Sequence, residues 1–288
     1  MTTVFGPEII ARSMSLATTG AGSKPFRFGR HWQYHPRSDR HSKIASWALM
    51  FDLMLASPLL CSHVADGKVA IGINHEMRDF AQNRAKNLDL VVCRSSSEVA
   101  NGTFAELTER YQIVLSAAER QMLDGLPASP LAIPDTILLA VEAKACMTEY
   151  GKARPRLYDE LNSSHLTIHG DTTSAIAAGF VLLNSSPTFV SPLRNPWNLG
   201  ALPDVVSQHR QPDDMRSVAA KVAELPRRSQ SGQDGFDALA IMVIECANDG
   251  SPVAAVPGAA GRDFPAIFDY GQTVGRIAHI YATRFSAL

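Results

Sequence analysis

An acid and an amine stand two residues apart at the end of an apolar run, I-L-L-A-V-E-A-K, residues 137–144. Side chains alternate along a strand, so Glu142 and Lys144 share one face while Val141 and Ala143 take the other. Such a pair can hold a divalent cation through the carboxylate and position a water with the ammonium. A second carboxylate, Asp89, sits inside the apolar stretch N-L-D-L-V-V-C, residues 87–93. A carboxylate in that setting is costly unless it is paired or binds a metal. Each feature also has a plainer reading. Glu142 and Lys144 can be a solvated strand end, and Asp89 can face water from an edge strand. A second acid-x-Lys, Asp66-Gly67-Lys68, reads as turn chemistry.

The next chemically dense stretch is W-Q-Y-H-P-R-S-D-R-H-S-K, residues 32–43. Arg27, Arg30, Arg37, Arg40 and Lys43 can line an edge that contacts phosphates, with Trp32 and Tyr34 as stacking surfaces. The alternative is a solvated entrance to the helix that follows. His31, His35 and His41 match no common metal spacing, so they read as solvated. G-A-G-S-K, residues 20–24, lacks the spacing of a phosphate loop, and Pro25 follows its lysine. His75-Glu76 would need a histidine where Asp79 stands, which rejects the zinc-protease motif.

Composition bounds the remainder. The 288 residues are 45% apolar with a formal net charge of −1, so no global basic field announces a nucleic-acid partner and any such partner must meet a local patch. The four cysteines are widely spaced, with no C-x-x-C, which points to free thiols in a reducing cytoplasm. No basic head precedes the short apolar N-terminal stretch, which carries Glu8 and Arg12, so no export signal is expected. The longest apolar stretch, Trp47–Cys61, is broken by Asp52, Ser57 and Pro58 and is too short and polar to span a bilayer.

The elements that must position these residues alternate along the chain. Ser38 or Asp39 caps a helix running to about Leu55, with Ile44, Trp47, Phe51 and Met54 on one face. Strands follow at 68–77 and 87–93, one or two helices at 103–124, the organising strand at 137–144 and a helix around Arg154–Ser163. A buried strand comes at 175–183, an irregular stretch at 184–211, a helix at 211–225, a strand at 238–247 and a last helix at about 264–285. R-R-S-Q-S-G-Q-D-G, residues 227–235, reads as a linker or mobile loop. The alternation favours one α/β domain over residues 1–288, its core at about 40–185 and a C-terminal extension at about 186–288.

The order helix, strand, strand with Asp89, insertion, strand with Glu142-x-Lys144, helix, strand resembles the PD-(D/E)xK superfamily of restriction-endonuclease-like nucleases over residues 40–185. The resemblance implies an α-β-β-β-α-β core with a mixed sheet, here with a helical insertion and C-terminal embellishments. Pro134-Asp135 supplies the literal P-D. Only seven positions separate Asp135 from Glu142. That places Asp135 at the far end of the same strand, about 20 Å away, so Asp89 on the preceding strand is the better first acid. Some members carry Q-x-x-x-Y on the following helix. Here Arg154 replaces the glutamine and only Tyr158 matches; both become candidate substrate contacts, the alternative being an ordinary amphipathic helix. Some members also add a Glu from the first helix, a role open here only to Asp52, which can equally face solvent.

The resemblance implies phosphodiester hydrolysis. Asp89, Glu142 and the Ala143 carbonyl would hold Mg²⁺ or Mn²⁺, and Lys144 would orient the attacking water. Arg37, Arg40 and Lys43 would touch the nucleic-acid backbone, DNA in the first instance, in a restriction or phage-defence setting and as a possible homodimer. The competing reading is a nucleic-acid-binding or regulatory protein that keeps the fold without cleaving. No other enzyme signature is present.

Overall fold

The structure, a computed structural model, describes residues 3–18, 32–80, 82–95, 99–133, 136–195, 199–200 and 205–288. Asp135, Pro134, Arg27, Arg30, His31 and the 20–24 loop lie outside them.

In chain order the elements are α1 (Gly6–Met14), α2 (Arg40–Ala56), α3 (Pro58–Ala65), β1 (Val69–Asp79), β2 (Arg84–Arg94), β3 (Val99–Thr103), α4 (Leu107–Arg110), α5 (Ala117–Asp124), β4 (Pro130–Ala132) and β5 (Ile137–Cys146). Then come α6 (Tyr150–Asp171), β6 (Ile176–Asn184), β7 (Thr188–Val190), β8 (Val206–Gln208), α7 (Asp213–Ala223), β9 (Ala238–Glu245), β10 (Ala254–Ala255), a 3₁₀ turn at Ala266–Phe268 and α8 (Tyr270–Arg284).

Eight strands form one mixed sheet in the order β10-β9-β6-β5-β2-β1-β4-β3. β1, β2 and β5 run antiparallel to one another in turn, and β5, β6 and β9 are parallel. The central strands are apolar because both sheet faces are covered. β6 is buried at all nine positions. On one face α1, α2, α3 and α8 enclose a core around Trp47, Phe51 and Phe180. On the other, α6 and α7 enclose Leu161, Ile168, Val218 and Phe236. α2 is buried almost all round. Its Trp47 ring stacks between Phe51 and Phe104, at centroid distances of 5.4 and 4.8 Å.

The insertion after β2 is not purely helical. It folds as strand, two short helices, strand, with β4 running parallel to β1 and extending the sheet edge. A capping box at Ser116 and Glu119 starts α5. The C-terminal part adds β9 and β10 to the same sheet. The 227–235 segment is no linker. Arg228, wholly buried, pairs with Asp237 at 2.9 Å and donates to the Ala175 carbonyl, which pins the loop against the start of β9.

No single helix among the described residues is long and apolar enough to cross a membrane; α2 and α3 are apolar together but meet at a bend of 98°.

The β1–β2 pair is longer than its attachment to the sheet. β1 pairs with β2 from Val69↔Arg94 to Asp79↔Arg84, but β2 pairs with β5 only between Leu90↔Val141 and Cys93↔Ile137. Beyond Leu90 the two-stranded ribbon leaves β5. The departure point is Asn74, at φ +52, opposite Asp89, where the β1–β2 pairing skips one position. Asn tolerates this left-handed conformation better than most residues. The freed ribbon lies across α6, where Met77 and Leu88 join the core that holds Leu161 and Ile168. Gly170 is required at the crossing, because a Cβ there would stand 2.3 Å from Asp79 Cγ. Gly170→Ala should therefore destabilise the fold by roughly 1–3 kcal/mol, the usual cost of overpacking. Urea denaturation of the variant against the parent checks this; an unchanged midpoint would mean that the ribbon does not press on α6.

Candidate functional site

The splitting of the ribbon from β5 makes a fork, and the chemically able side chains gather there. Once β2 has left, the Ala143 N–H has no ladder partner. Asp89 supplies one, its Oδ2 accepting from Ala143 N at 2.9 Å. Asp89 Oδ1 accepts from Ser42 Oγ at 2.9 Å and from Lys43 Nζ at 2.7 Å, both on the first turn of α2. Asp89 is therefore buried within the sheet and does not face water from an edge.

Glu142 is also buried, at 1% exposure. Its Oε1 meets Lys144 Nζ at 2.8 Å and Lys86 Nζ at 3.6 Å. Lys86 comes from the freed ribbon and also donates to the Glu160 carbonyl. Lys144 reaches on to Glu160 Oε2 at 3.5 Å, and Arg156 Nε holds Glu160 Oε1 at 2.6 Å. Glu142 Oε2 is buried and has no hydrogen-bond partner. The pair is thus a buried Glu142 held by a half-buried Lys144 within β5, not a solvated strand end.

The two carboxyls are pushed apart electrostatically. Burial raises Asp89, but the Lys43 ammonium, its hydrogen bond and the Ala143 N–H outweigh it and hold Asp89 below its ordinary value. Burial and then the nearby Asp89 charge push Glu142 up, against the lowering effect of Lys144 and Lys86. Lys144 is lowered by burial but raised more by Glu142, so it stays charged. Burial leaves Lys86 below its ordinary value.

A cleft of about 650 Å³ opens over this fork. The 34–42 segment, the end of β5 with the first turns of α6, and residues 189–194 wall it. Arg37, Lys152, Arg156 and Arg194 stand round it with Asp39, Glu149 and Glu160. His41 lines it beside the Tyr34 ring, at 5.0 Å between centroids, and burial lowers its pKa to about 4, which leaves a neutral imidazole. Burial pushes the Cys146 thiol up to about 12, so it supplies no thiolate nucleophile at neutral pH.

Several expected site residues lie elsewhere or act differently. Arg40 is buried at 4% exposure and cannot reach a phosphate. Its guanidinium ties three segments together, donating to the carbonyls of Ser13 at 2.7 Å, Tyr111 at 3.3 Å and Gln112 at 3.4 Å. Lys43 is buried on Asp89 and is likewise no surface contact. Of that trio only Arg37 is exposed at the cleft. Arg154 and Tyr158 turn away from it. Arg154 Nη1 donates to Ser217 Oγ on α7 at 2.6 Å, and Lys221 Nζ lies 4.4 Å from the Tyr158 ring centroid. At 3.6 residues per turn the cleft face of α6 is instead 152/153, 156/157 and 160. Lys86, Glu160, Arg156 and Ser42 are the members that sequence reading missed. Only the i,i+4 spacing of Arg156 and Glu160 was legible, and nothing in it points to β5.

The described residues contain no group of three His, Cys, Asp or Glu side chains suited to a metal ion. A cation here would take two carboxylates, backbone oxygen and water, the hard oxygen donors that Mg²⁺ and Mn²⁺ favour. No family model, no curated protein and no solved structure matches the chain.

Asp52, the only acid of α2, is not part of the site. It accepts from the N–H groups of Phe5 at 2.8 Å and Gly6 at 2.7 Å and from the Tyr270 hydroxyl at 2.9 Å, joining α1 and α8 to α2. Burial raises its pKa to about 6 despite these donors. A carboxyl raised above its unfolded value of about 3.9 favours the folded state most below that value and loses the advantage as pH rises through 6. The parent should therefore lose on the order of 2 kcal/mol between pH 4 and pH 6 from this group. Asp52→Asn should be less stable overall but should lack that slope. Urea denaturation across this pH range checks it, and a slope retained in the variant would assign the titration to another group.

Proposed function

We propose that this chain is a divalent-cation-dependent phosphodiester hydrolase acting on nucleic acid, DNA in particular, on a restriction-endonuclease-like core. The observation that carries the reading is Glu142 Oε2. A buried carboxylate oxygen without a donor is expensive, and this carboxyl lies within electrostatic reach of Asp89, next to a strand edge that has lost its neighbour, with a lysine on its other oxygen. The adjacency β1-β2-β5-β6, antiparallel twice and then parallel across α6, supports the resemblance to the PD-(D/E)xK core.

Asp89, Glu142 and the Ala143 carbonyl would hold Mg²⁺ or Mn²⁺, which would supply positive charge at the scissile phosphate and acidify a bound water. The chain's own groups do the rest. Lys144, held by Glu142 and Glu160, orients the attacking water and favours its deprotonated form. Arg37 and Arg156 stand at the mouth of the cleft, where guanidinium groups bind backbone phosphates and leave sequence unread. Neutral His41 offers a hydrogen bond without adding charge. A restriction or phage-defence setting is the biological context this chemistry suits.

One observation favours a second reading, a nucleic-acid-binding protein that does not cleave. Lys43, Lys86 and Lys144 already meet the two carboxylates, so the fork is largely neutralised without a metal. Cleavage assays on plasmid, single-stranded DNA and RNA with Mg²⁺ and with Mn²⁺ separate the two. The hydrolase reading expects cleavage, and a loss of about 10²-fold or more in Glu142→Gln and in Lys144→Ala. Wild-type-like cleavage by Glu142→Gln would reject the site, and binding without cleavage by the parent would leave the second reading standing.

The same reading relocates the phosphate contacts. Arg37→Ala and Arg156→Ala should each lower the log–log salt slope of DNA binding by about 0.7–0.9, measured in Ca²⁺ to block cleavage. Arg40→Ala, which removes a buried tie, should instead lower stability. An unchanged slope in the double Arg37/Arg156 variant would return these arginines to a solvated rim.

A further inference from the structure

The two carboxylates of the fork are not equally available. Asp89 commits both oxygens to protein donors, Oδ1 to Ser42 and Lys43 and Oδ2 to the Ala143 N–H. That fills three of about four lone-pair directions. Glu142 Oε2 has none filled. Lys43 is 2% exposed, and its ammonium is shared between Asp89 Oδ1 and the side-chain oxygen of Asn74.

We propose that Lys43 is the resident cation of this site: its ammonium holds the place on Asp89 that a divalent cation would take, and such a cation binds by displacing it. The proposal rests on the reading of Asp89 and Glu142 as cation ligands. A divalent ion bound to Asp89 Oδ1 at about 2.1 Å and an ammonium 2.7 Å from the same oxygen repel each other strongly inside a protein. One of them has to move.

Lys43 has somewhere to go. Its stem is long and flexible, and Asn74 already accepts from it as a second partner beside Asp89. The left-handed turn at Asn74 that releases the ribbon from β5 is what brings this second acceptor to the ammonium. The same residue therefore opens the fork and provides a retreat for the displaced lysine. A site built in this way binds a lone divalent cation weakly, because each binding event must break an ion pair that is already made.

The test uses the full chain without nucleic acid and reads metal binding, not cleavage. Mn²⁺ affinity is measured by electron paramagnetic resonance for the parent and for Lys43→Gln, which removes the charge but keeps a hydrogen-bond donor for Asp89. The expected result is a dissociation constant at least about tenfold lower in Lys43→Gln, with binding lost in both backgrounds on adding Glu142→Gln. Equal or weaker binding by folded Lys43→Gln overturns the proposal while leaving the cation site intact. No Mn²⁺ binding by either protein overturns the cation site and the proposal with it. If Lys43→Gln does not fold, acylation of Lys43 by an N-hydroxysuccinimide ester is followed on the parent by mass spectrometry. Displacement predicts faster labelling with Mn²⁺ than without, and labelling unaffected by Mn²⁺ overturns it.

Discussion

Everything chemically distinctive in this protein depends on one backbone event, the departure of the β1–β2 ribbon from β5 at Asn74 and Asp89. A sheet satisfies its backbone groups by pairing, and a strand that leaves exposes donors that must be answered. Here the Ala143 N–H is answered by a carboxylate from the departing strand. The fork thus draws Asp89 into the sheet, within electrostatic reach of Glu142 on the preceding residue of β5. The ribbon carries Lys86 round to Glu142 and Glu160, and the first turn of α2 closes the other side with Ser42 and Lys43. A continuous β2–β5 ladder would leave no gap and no reason for a buried carboxylate at position 89.

Electrostatics give the fork its character. Two carboxylates in a poorly solvated place repel, and each must find a cation or take a proton. The protein answers with lysines brought from three different elements, α2, β2 and β5. Lysine suits this because its charge is compact and its stem long. The arrangement neutralises the fork, yet it is asymmetric: Asp89 is held below its ordinary pKa with both oxygens used, whereas Glu142 is pushed up and half used. That asymmetry is what the proposed cation site requires and what a purely structural ion cluster would not show. Asp237 is the contrast. Both its oxygens are occupied, by Arg228, Arg284 and the Ala177 N–H, and it serves only to lock the start of β9.

The surrounding helices hold the fork's walls in register. Arg40 and Asp52, both on α2, are buried polar hubs that bind carbonyls or N–H groups of segments distant in sequence. Such groups contribute direction more than free energy, since desolvation offsets much of what their hydrogen bonds return. They orient α2 so that its N-terminal turn meets Asp89. Gly170 lets the ribbon lie close on α6, which in turn fixes where Lys86 arrives.

The sequence by itself determined the central strands, the long helices and the membership of the chemical pair. Apolar runs bounded by turn residues marked α2, β1, β2, β5, β6, α7 and β9, because burial on both sheet faces leaves a clear pattern, as at 137–146 and 176–184, whereas α1, α3 and the short strands β3, β4, β7, β8 and β10 left no such run. Alternation along β5 placed Glu142 and Lys144 together, and the isolation of Asp89 among apolar residues marked it as costly. Only the tertiary structure decided which basic residues serve the site. Arg37, Arg40 and Lys43 look alike in sequence, but one faces the cleft, one ties loops and one neutralises Asp89, since their fates depend on what α2 meets. Arg154 and Tyr158 matched a spacing but lie on the wrong side of α6, a rotation that sequence cannot give without knowing where the helix docks. Lys86 and Glu160 joined the site because a ribbon bends at Asn74, and a bend caused by one residue in a left-handed conformation leaves no periodic trace.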